Sequence, residues 1–128
     1  FAEEIKRATS GEGVKVIYDG VGKTTFDKGI SCLGRRGIMV LYGAASGAPD
    51  PISPSVLAAG SLYLTRPGLG DYTVDRPELS QRAGDVLGWV ASGELKLRIG
   101  HEFSLSDAPE AHRQLEGRAT TGKVLLIP

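Results

Sequence analysis

Cysteine is almost missing from this chain: Cys32 is the only one in 128 residues. No disulfide can form within the chain, and no zinc site built on several thiolates is available. A lone thiol is ordinary in a reducing compartment, so a cytoplasmic setting is expected. Net charge is missing too. Fifteen Lys and Arg balance fifteen Asp and Glu, leaving no overall field to draw in nucleic acid or an anionic membrane surface. No apolar run approaches the ~20 residues that span a bilayer, and the first residues lack the charged and apolar regions of a secretion signal. The chain reads as soluble, with neither nucleic acid nor membrane as partner. The two histidines, His101 in an expected turn and His112 in an expected helix, have no second ligand at the spacing of a helix-borne metal pair. No metal site is expected. Nothing supplies a Ser-His-Asp order with a nucleophile elbow. Phe1, Ala2, Ile5 and Ala8 have helical spacing but no cap or initiator methionine before them; the chain reads as one cut inside a helix.

What is abundant is glycine, 18 residues of it, and its placement is informative. A length of 128 suits one main core. After the breaker run Ser10-Gly11-Glu12-Gly13, residues Val14 to Tyr18 form an apolar, β-branched and aromatic strand, of the kind covered by helices on both faces of a parallel sheet. It ends in Asp19-Gly20-Val21-Gly22. Thr24 stands three residues before Asp27, the spacing of a capping box, and Phe26, Ile30 and Leu33 follow at helical intervals. This predicts a crossover helix ending near Gly34. Arg35-Arg36-Gly37 then turns into a second strand, Ile38 to Tyr42, which the crossover rule makes parallel to the first. That strand ends in Gly43-Ala44-Ala45-Ser46-Gly47. A proline-rich loop follows, with a helical turn at Ser55 to Ala59, then a third strand, Ser61 to Arg66, stopped by Pro67.

The remainder changes character. Arg76-Pro77-Glu78 opens a helix with the apolar stripe Leu79, Ala83, Val86, Leu87, Val90 and Ala91, closed by Gly93. Leu95 to Ile99 alternates and predicts a half-buried strand. A helix from Asp107 to Leu115, capped by Ser106, and a last strand from Lys123 to Ile127 complete the chain. The fold class is α/β: later strands of a doubly wound parallel sheet over residues 1–66, then an α+β segment over residues 67–128.

In open parallel sheets, ligands bind outside the carboxyl ends of the strands, where glycine lets backbone come close. Two glycine-ended strands therefore point at one crevice. The amides of the turn at Gly20 to Gly22 could face a phosphate, but a G-x-G-x-x-G pattern is incomplete there, and a plain tight turn gives the same sequence. Asp19 could hold a ligand hydroxyl or bond nearby backbone, the second being the commoner use. The small residues after Tyr42 leave room for a flat ring or sugar, or form a surface loop. Cys32, near Ile30 and Leu33, reads as a small core residue rather than a nucleophile. Arg35 and Arg36 lie at the wrong edge of the sheet for a ligand. Arg66 and Arg118 could reach the crevice or be ordinary surface cations.

The whole run resembles the carboxyl-terminal half of the zinc-independent quinone oxidoreductases, the zeta-crystallin-like branch of the medium-chain dehydrogenase/reductase superfamily. The residues that carry the resemblance are Val16-Ile17-Tyr18-Asp19-Gly20-Val21-Gly22, Leu33-Gly34-Arg35-Arg36-Gly37, Gly60-Ser61-Leu62-Tyr63-Leu64-Thr65-Arg66-Pro67 and Arg118-Ala119-Thr120-Thr121-Gly122-Lys123. The resemblance implies hydride transfer from NADPH to quinones or related enones, with the cofactor carrying the chemistry and no catalytic side chain of the protein. It places Gly20 near the adenosine side of NADPH. Tyr42, Gly43, Ala44 and Ala45 match the stretch by the nicotinamide and its ribose. Leu64, Thr65 and Arg66 match a strand end that meets the carboxamide, and Arg118 a tail arginine near the cofactor. It also implies a homodimer through the edge strand at residues 61–66. The sequence lacks that family's glycine-rich pyrophosphate turn and the strands that read the 2′-phosphate, so the 128 residues alone are expected to be inactive. The opposing reading is a non-catalytic dimerisation or interaction module on the same fold.

Overall fold

The computed structural model describes residues 1–128, which divide into two compact units, Phe1–Tyr72 and Thr73–Pro128. One main core was expected from the length. The division reflects a chain in which, apart from glycines, only Asp19, Phe26, Cys32, Met39, Leu41 and Ala111 are buried, all but the last in the first unit.

The first unit runs α1 (Ala2–Ala8), β1 (Val14–Asp19), α2 (Phe26–Ile30), β2 (Leu33–Leu41), a 3-10 turn (Pro54–Ala59), β3 (Tyr63–Thr65) and a second 3-10 turn (Leu69–Tyr72). The strands lie in the order β1, β2, β3, and both pairings are parallel. Ile17 stands opposite Met39 and Asp19 opposite Leu41; Met39 stands opposite Leu64 and Val40 opposite Thr65. The carboxyl ends of all three strands therefore share one edge. The core under this edge is Phe26, Met39 and Leu41, with Ile17, Ile30, Leu33 and Ile52 packed around it. Gly29 is required there, because a Cβ on it would stand 2.6 Å from Cε of Met39. Cys32 is buried, as the sequence suggests.

Four local expectations are corrected. β1 is covered on one face only: Ile17 and Asp19 turn inward, whereas Val16 and Tyr18 are exposed, Tyr18 at 74%. β2 begins at Leu33, so Arg35 and Arg36 lie within the strand rather than in a turn before it. The pairing with β1 breaks between Val14 and Val16, and Arg36 takes φ 58° there while its N–H donates to the Gly60 carbonyl at 2.7 Å. The crossover helix is only five residues long and has no side-chain cap. β3 keeps three of the six expected residues.

In the second unit, α3 (Arg76–Ser92) starts at Asp75, whose carboxylate accepts the Glu78 N–H at 2.9 Å, and stops at Gly93, whose φ is 80°. Gly93 is the stop read from the sequence, and the Asp75 cap is an addition to that reading. Its stripe is uncovered: Leu79, Val86 and Leu87 are all exposed. β4 (Ile99–Ser104), a 3-10 turn (Leu105–Asp107), α4 (Ala108–Glu116) and β5 (Lys123–Ile127) follow, with β4 and β5 parallel. The expected strand at Leu95 to Ile99 is displaced. The Leu95 N–H is still held by the Trp89 carbonyl at 2.9 Å, and pairing with β5 begins at Ile99. His101 is consequently in a strand, not a turn. Ser106 does not cap α4; its hydroxyl is bonded to that of Ser104.

Candidate functional site

β1 and β2 end side by side, and their glycine turns are fastened together. The Asp19 carbonyl accepts the N–H groups of Tyr42 (2.9 Å) and Gly43 (3.3 Å), and the Gly20 carbonyl accepts the Ala45 N–H (3.2 Å). Ser46 adds a clasp. Its N–H and its hydroxyl both donate to the Val21 carbonyl at 2.8 Å, and its Oγ accepts the Thr24 N–H at 3.1 Å. Gly43 is where the two backbones touch: a Cβ there would lie 2.5 Å from the Gly20 oxygen and 2.9 Å from the Gly20 Cα. At Gly20 the neighbour is different, since a Cβ would meet the Tyr42 hydroxyl at 2.8 Å. The Tyr42 ring thus leans over Gly20 while more than half of it remains exposed.

Beside this contact lies an open groove of about 540 Å³ between α1, β1 and the two turns, with Phe1, Ile5, Ile17, Tyr18, Gly20 and Tyr42 among its lining residues. Its walls are mainly apolar and aromatic, a character shared with small-molecule sites.

Asp19 anchors the turn. Oδ1 accepts the N–H groups of Val21 (2.8 Å) and Gly22 (3.0 Å), and the Thr25 hydroxyl lies 2.9 Å from both carboxylate oxygens. Burial acting alone would raise this carboxyl. The N–H groups of Gly22 and Val21 and the Thr25 hydroxyl outweigh it, and the pKa falls below the ordinary 3.8. Of the two uses weighed for Asp19, the structure realises the backbone bond. It also explains the missing cap on α2, since Thr25, the residue in cap position, gives its hydroxyl to Asp19.

A carboxyl held low in the folded state contributes stability above its unfolded pKa of about 3.9 and loses it as pH falls through the folded value. Glu110 is also held low, first by Gln114 and then by Arg113, so acid sensitivity must be apportioned with a variant. Asp19→Asn is expected to lower the thermal midpoint at pH 7 relative to the parent, with the gap closing below about pH 4. A gap unchanged between pH 7 and pH 3 would contradict this role for the charge.

Of the residues singled out in the sequence, Gly20, Tyr42, Gly43, Ala44 and Ala45 come together at the paired turns. Leu64 and Thr65 lie at the same strand edge, one strand over, with Arg66 next in the chain. Arg118 belongs to the second unit, in the turn after α4 with φ 55°, its N–H bonded to the Leu115 carbonyl at 3.1 Å. Sequence reasoning missed Thr25 and Ser46. An Asp-Gly-x-Gly ending is a signal for the Asp19 bonds, whereas nothing local marks Ser46, whose partners lie more than 20 residues away.

Comparison with known proteins agrees with this arrangement. A family model described as "Zinc-binding dehydrogenase" matches residues 1–126. The chain is 42% identical to Quinone oxidoreductase 1 of Escherichia coli (strain K12) over 100% of its own length and 40% of the relative's. It is 38% identical to the 2-haloacrylate reductase of a Burkholderia species, over 100% of this chain and 39% of that one. The solved structure of mycobacterial Rv1454c complexed with NADPH superposes with a TM-score of 0.90 at 44% identity, covering 99% of this chain and 40% of that protein. The chain thus spans about 40% of the length of the relatives it matches. No group of three or more His, Cys, Asp and Glu residues in these 128 could hold a metal ion, so the residues present do not fit the zinc of the family's description. With the family match running over 126 of the 128 residues, and with parallel strands meeting at a glycine-lined edge, the chain belongs to the zinc-binding dehydrogenase family of the medium-chain dehydrogenases/reductases.

Proposed function

We propose that these residues are the carboxyl-terminal part of an oxidoreductase that passes hydride from NADPH to quinones or related electrophilic alkenes, and that they are inactive by themselves. The observation that carries this reading is the junction of the two glycine turns at the carboxyl edge of a parallel sheet, in a chain 44% identical to a protein solved with NADPH. The residues fit such a cofactor: the groove beside Gly20 is open, and the Tyr42 ring offers an exposed face for stacking. NADPH, when bound, supplies the hydride. The chain's part is to hold and orient it, through Gly20 on the adenosine side, Tyr42, Gly43, Ala44 and Ala45 beside the nicotinamide and its ribose, Leu64, Thr65 and Arg66 at the carboxamide, and Arg118 from the tail. Residues 1–66 would then belong to the coenzyme domain and 67–128 to the catalytic one. The reaction needs no zinc, and the compartment is the cytoplasm.

Surface area supports the view that more protein covers this chain. It exposes 9473 Å², whereas a folded monomer of its mass exposes about 6,500 Å² and two separate domains of these sizes about 7,900 Å². The β3 edge, with Tyr63 and Leu64 exposed, suits strand pairing with a second copy; a single monomeric species in sedimentation at high micromolar concentration would count against the dimer. Turnover tests the main reading. The 128 residues incubated with NADPH and a p-quinone are expected to give no NADPH oxidation above the uncatalysed rate, while the longer polypeptide carrying them oxidises NADPH in proportion to quinone. Brisk reduction by the 128 residues alone, or none by the longer polypeptide, would overturn it.

A further inference from the structure

The N–H groups that a phosphate would need at the first glycine turn are already in use. Val21 and Gly22 donate to Asp19, Lys23 to the Gly47 carbonyl, Thr24 to Ser46 Oγ, and Thr25 and Phe26 to the Gly22 carbonyl. Six consecutive donors are thus satisfied inside the chain. Two of them converge on Oδ1 of Asp19, which is the arrangement of an anion-binding nest. The anion in the nest is the chain's own carboxylate, 5% exposed. Lys23, the basic residue of the turn, has its Nζ 3.9 Å from the Asp50 carboxylate.

We propose that Asp19 is a specificity-determining residue: a built-in anion that fills the nest at the end of β1 and closes it to phosphate, so that this wall of the groove receives an uncharged part of a ligand. A phosphate arriving here would find the amides of residues 21–26 already bonded and would face a fixed negative charge, which repels it through the protein more strongly than through water. A ribose hydroxyl or a flat ring meets neither obstacle. The identity of the ligand rests on the cofactor reading above; the occupancy of the nest does not.

The test uses the isotope-labelled 128-residue chain. Titration with sodium pyrophosphate at constant ionic strength is expected to leave the Val21, Gly22 and Thr24 amide resonances unmoved into the millimolar range, and saturable shifts at Val21 and Gly22 would overturn the proposal. Asp19→Ala empties the nest without filling it. Its thermal midpoint is expected to be several degrees higher in sodium formate than in sodium chloride of equal ionic strength, with no such difference for the parent. Equal midpoints for a folded variant contradict an occupied nest, and should the variant not fold in either salt, the pyrophosphate titration of the parent decides. NADPH added to the same parent sample separates the two readings: if it shifts nothing, the cofactor reading fails, while the pyrophosphate and formate results still decide this one.

Discussion

Replacing Gly43 by alanine is expected to separate the two glycine turns and to lower the thermal midpoint of the chain by several degrees or more. The reason is contact, not backbone conformation, because Gly43 is not among the glycines with positive φ. Its Cβ would stand 2.5 Å from the Gly20 oxygen, 2.9 Å from the Gly20 Cα and 3.0 Å from its carbonyl carbon, all backbone atoms that cannot rotate away. Either β1 or β2 must shift, and the Tyr42 and Gly43 bonds to the Asp19 carbonyl are strained with them. Overpacking of this kind costs about 1–3 kcal/mol, or about 4–20 °C in a domain of this size. Gly20→Ala is the control. Its added methyl meets the Tyr42 side chain, which can swing toward solvent, so a much smaller loss is expected. Similar losses for the two variants would show that the junction is not set by backbone contact.

Truncating Met39 to alanine is expected to unfold the first unit or bring it close to unfolding. Met39 is fully buried and stands between Ile17 and Leu64 on the central strand. Its Cε fills the space over Gly29, so α2 and the sheet both lose their contact when it goes. A large-to-small change at such a site costs about 2–5 kcal/mol, a large share of the 5–15 kcal/mol that ordinary domains possess. The unit has only Phe26 and Leu41 as further buried large apolar side chains, so little remains to compensate. Met39→Leu, of similar volume, should cost under about 1.5 kcal/mol. Urea midpoints for the parent and both variants measure this, and a Met39→Ala midpoint equal to that of Met39→Leu would refute the core assignment.

The parts of the fold legible in the sequence are those where local chemistry and tertiary contact agree. β1 announces itself by an apolar run ending in Asp-Gly-x-Gly, and α3 by Arg76-Pro77-Glu78 at its start and Gly93 after it. The misreadings share a physical cause, which is a partner that the local pattern does not reveal. Leu33-Gly34-Arg35-Arg36-Gly37 looks like a turn, but the bond from the Arg36 N–H to Gly60 and that from the Val14 N–H to the Cys32 carbonyl hold it in the sheet. Thr24 and Ser106 have the composition of caps, yet Ser46 and Ser104 take their hydroxyls. Residues 95–103 carry apolar alternation through both Leu97 and Phe103, so the period alone does not fix where pairing with β5 starts; the Trp89 carbonyl decides it by holding Leu95. The site is divided in the same way. Its glycines and the Asp19 turn are visible in the sequence, whereas the Ser46 clasp exists only once the two turns are brought together.

The proposed function makes the paired turns after β1 and β2 a wall of an NADPH site. The most direct measurement is the change in backbone amide resonances of the 128-residue chain as NADPH is raised to millimolar concentration. Shifts that saturate and cluster at Gly20, Tyr42 to Ala45 and Leu64 to Arg66, with the α3 amides unmoved, are the predicted result. Shifts confined to residues away from these strand ends, or a spectrum indifferent to NADPH throughout, would contradict the claim.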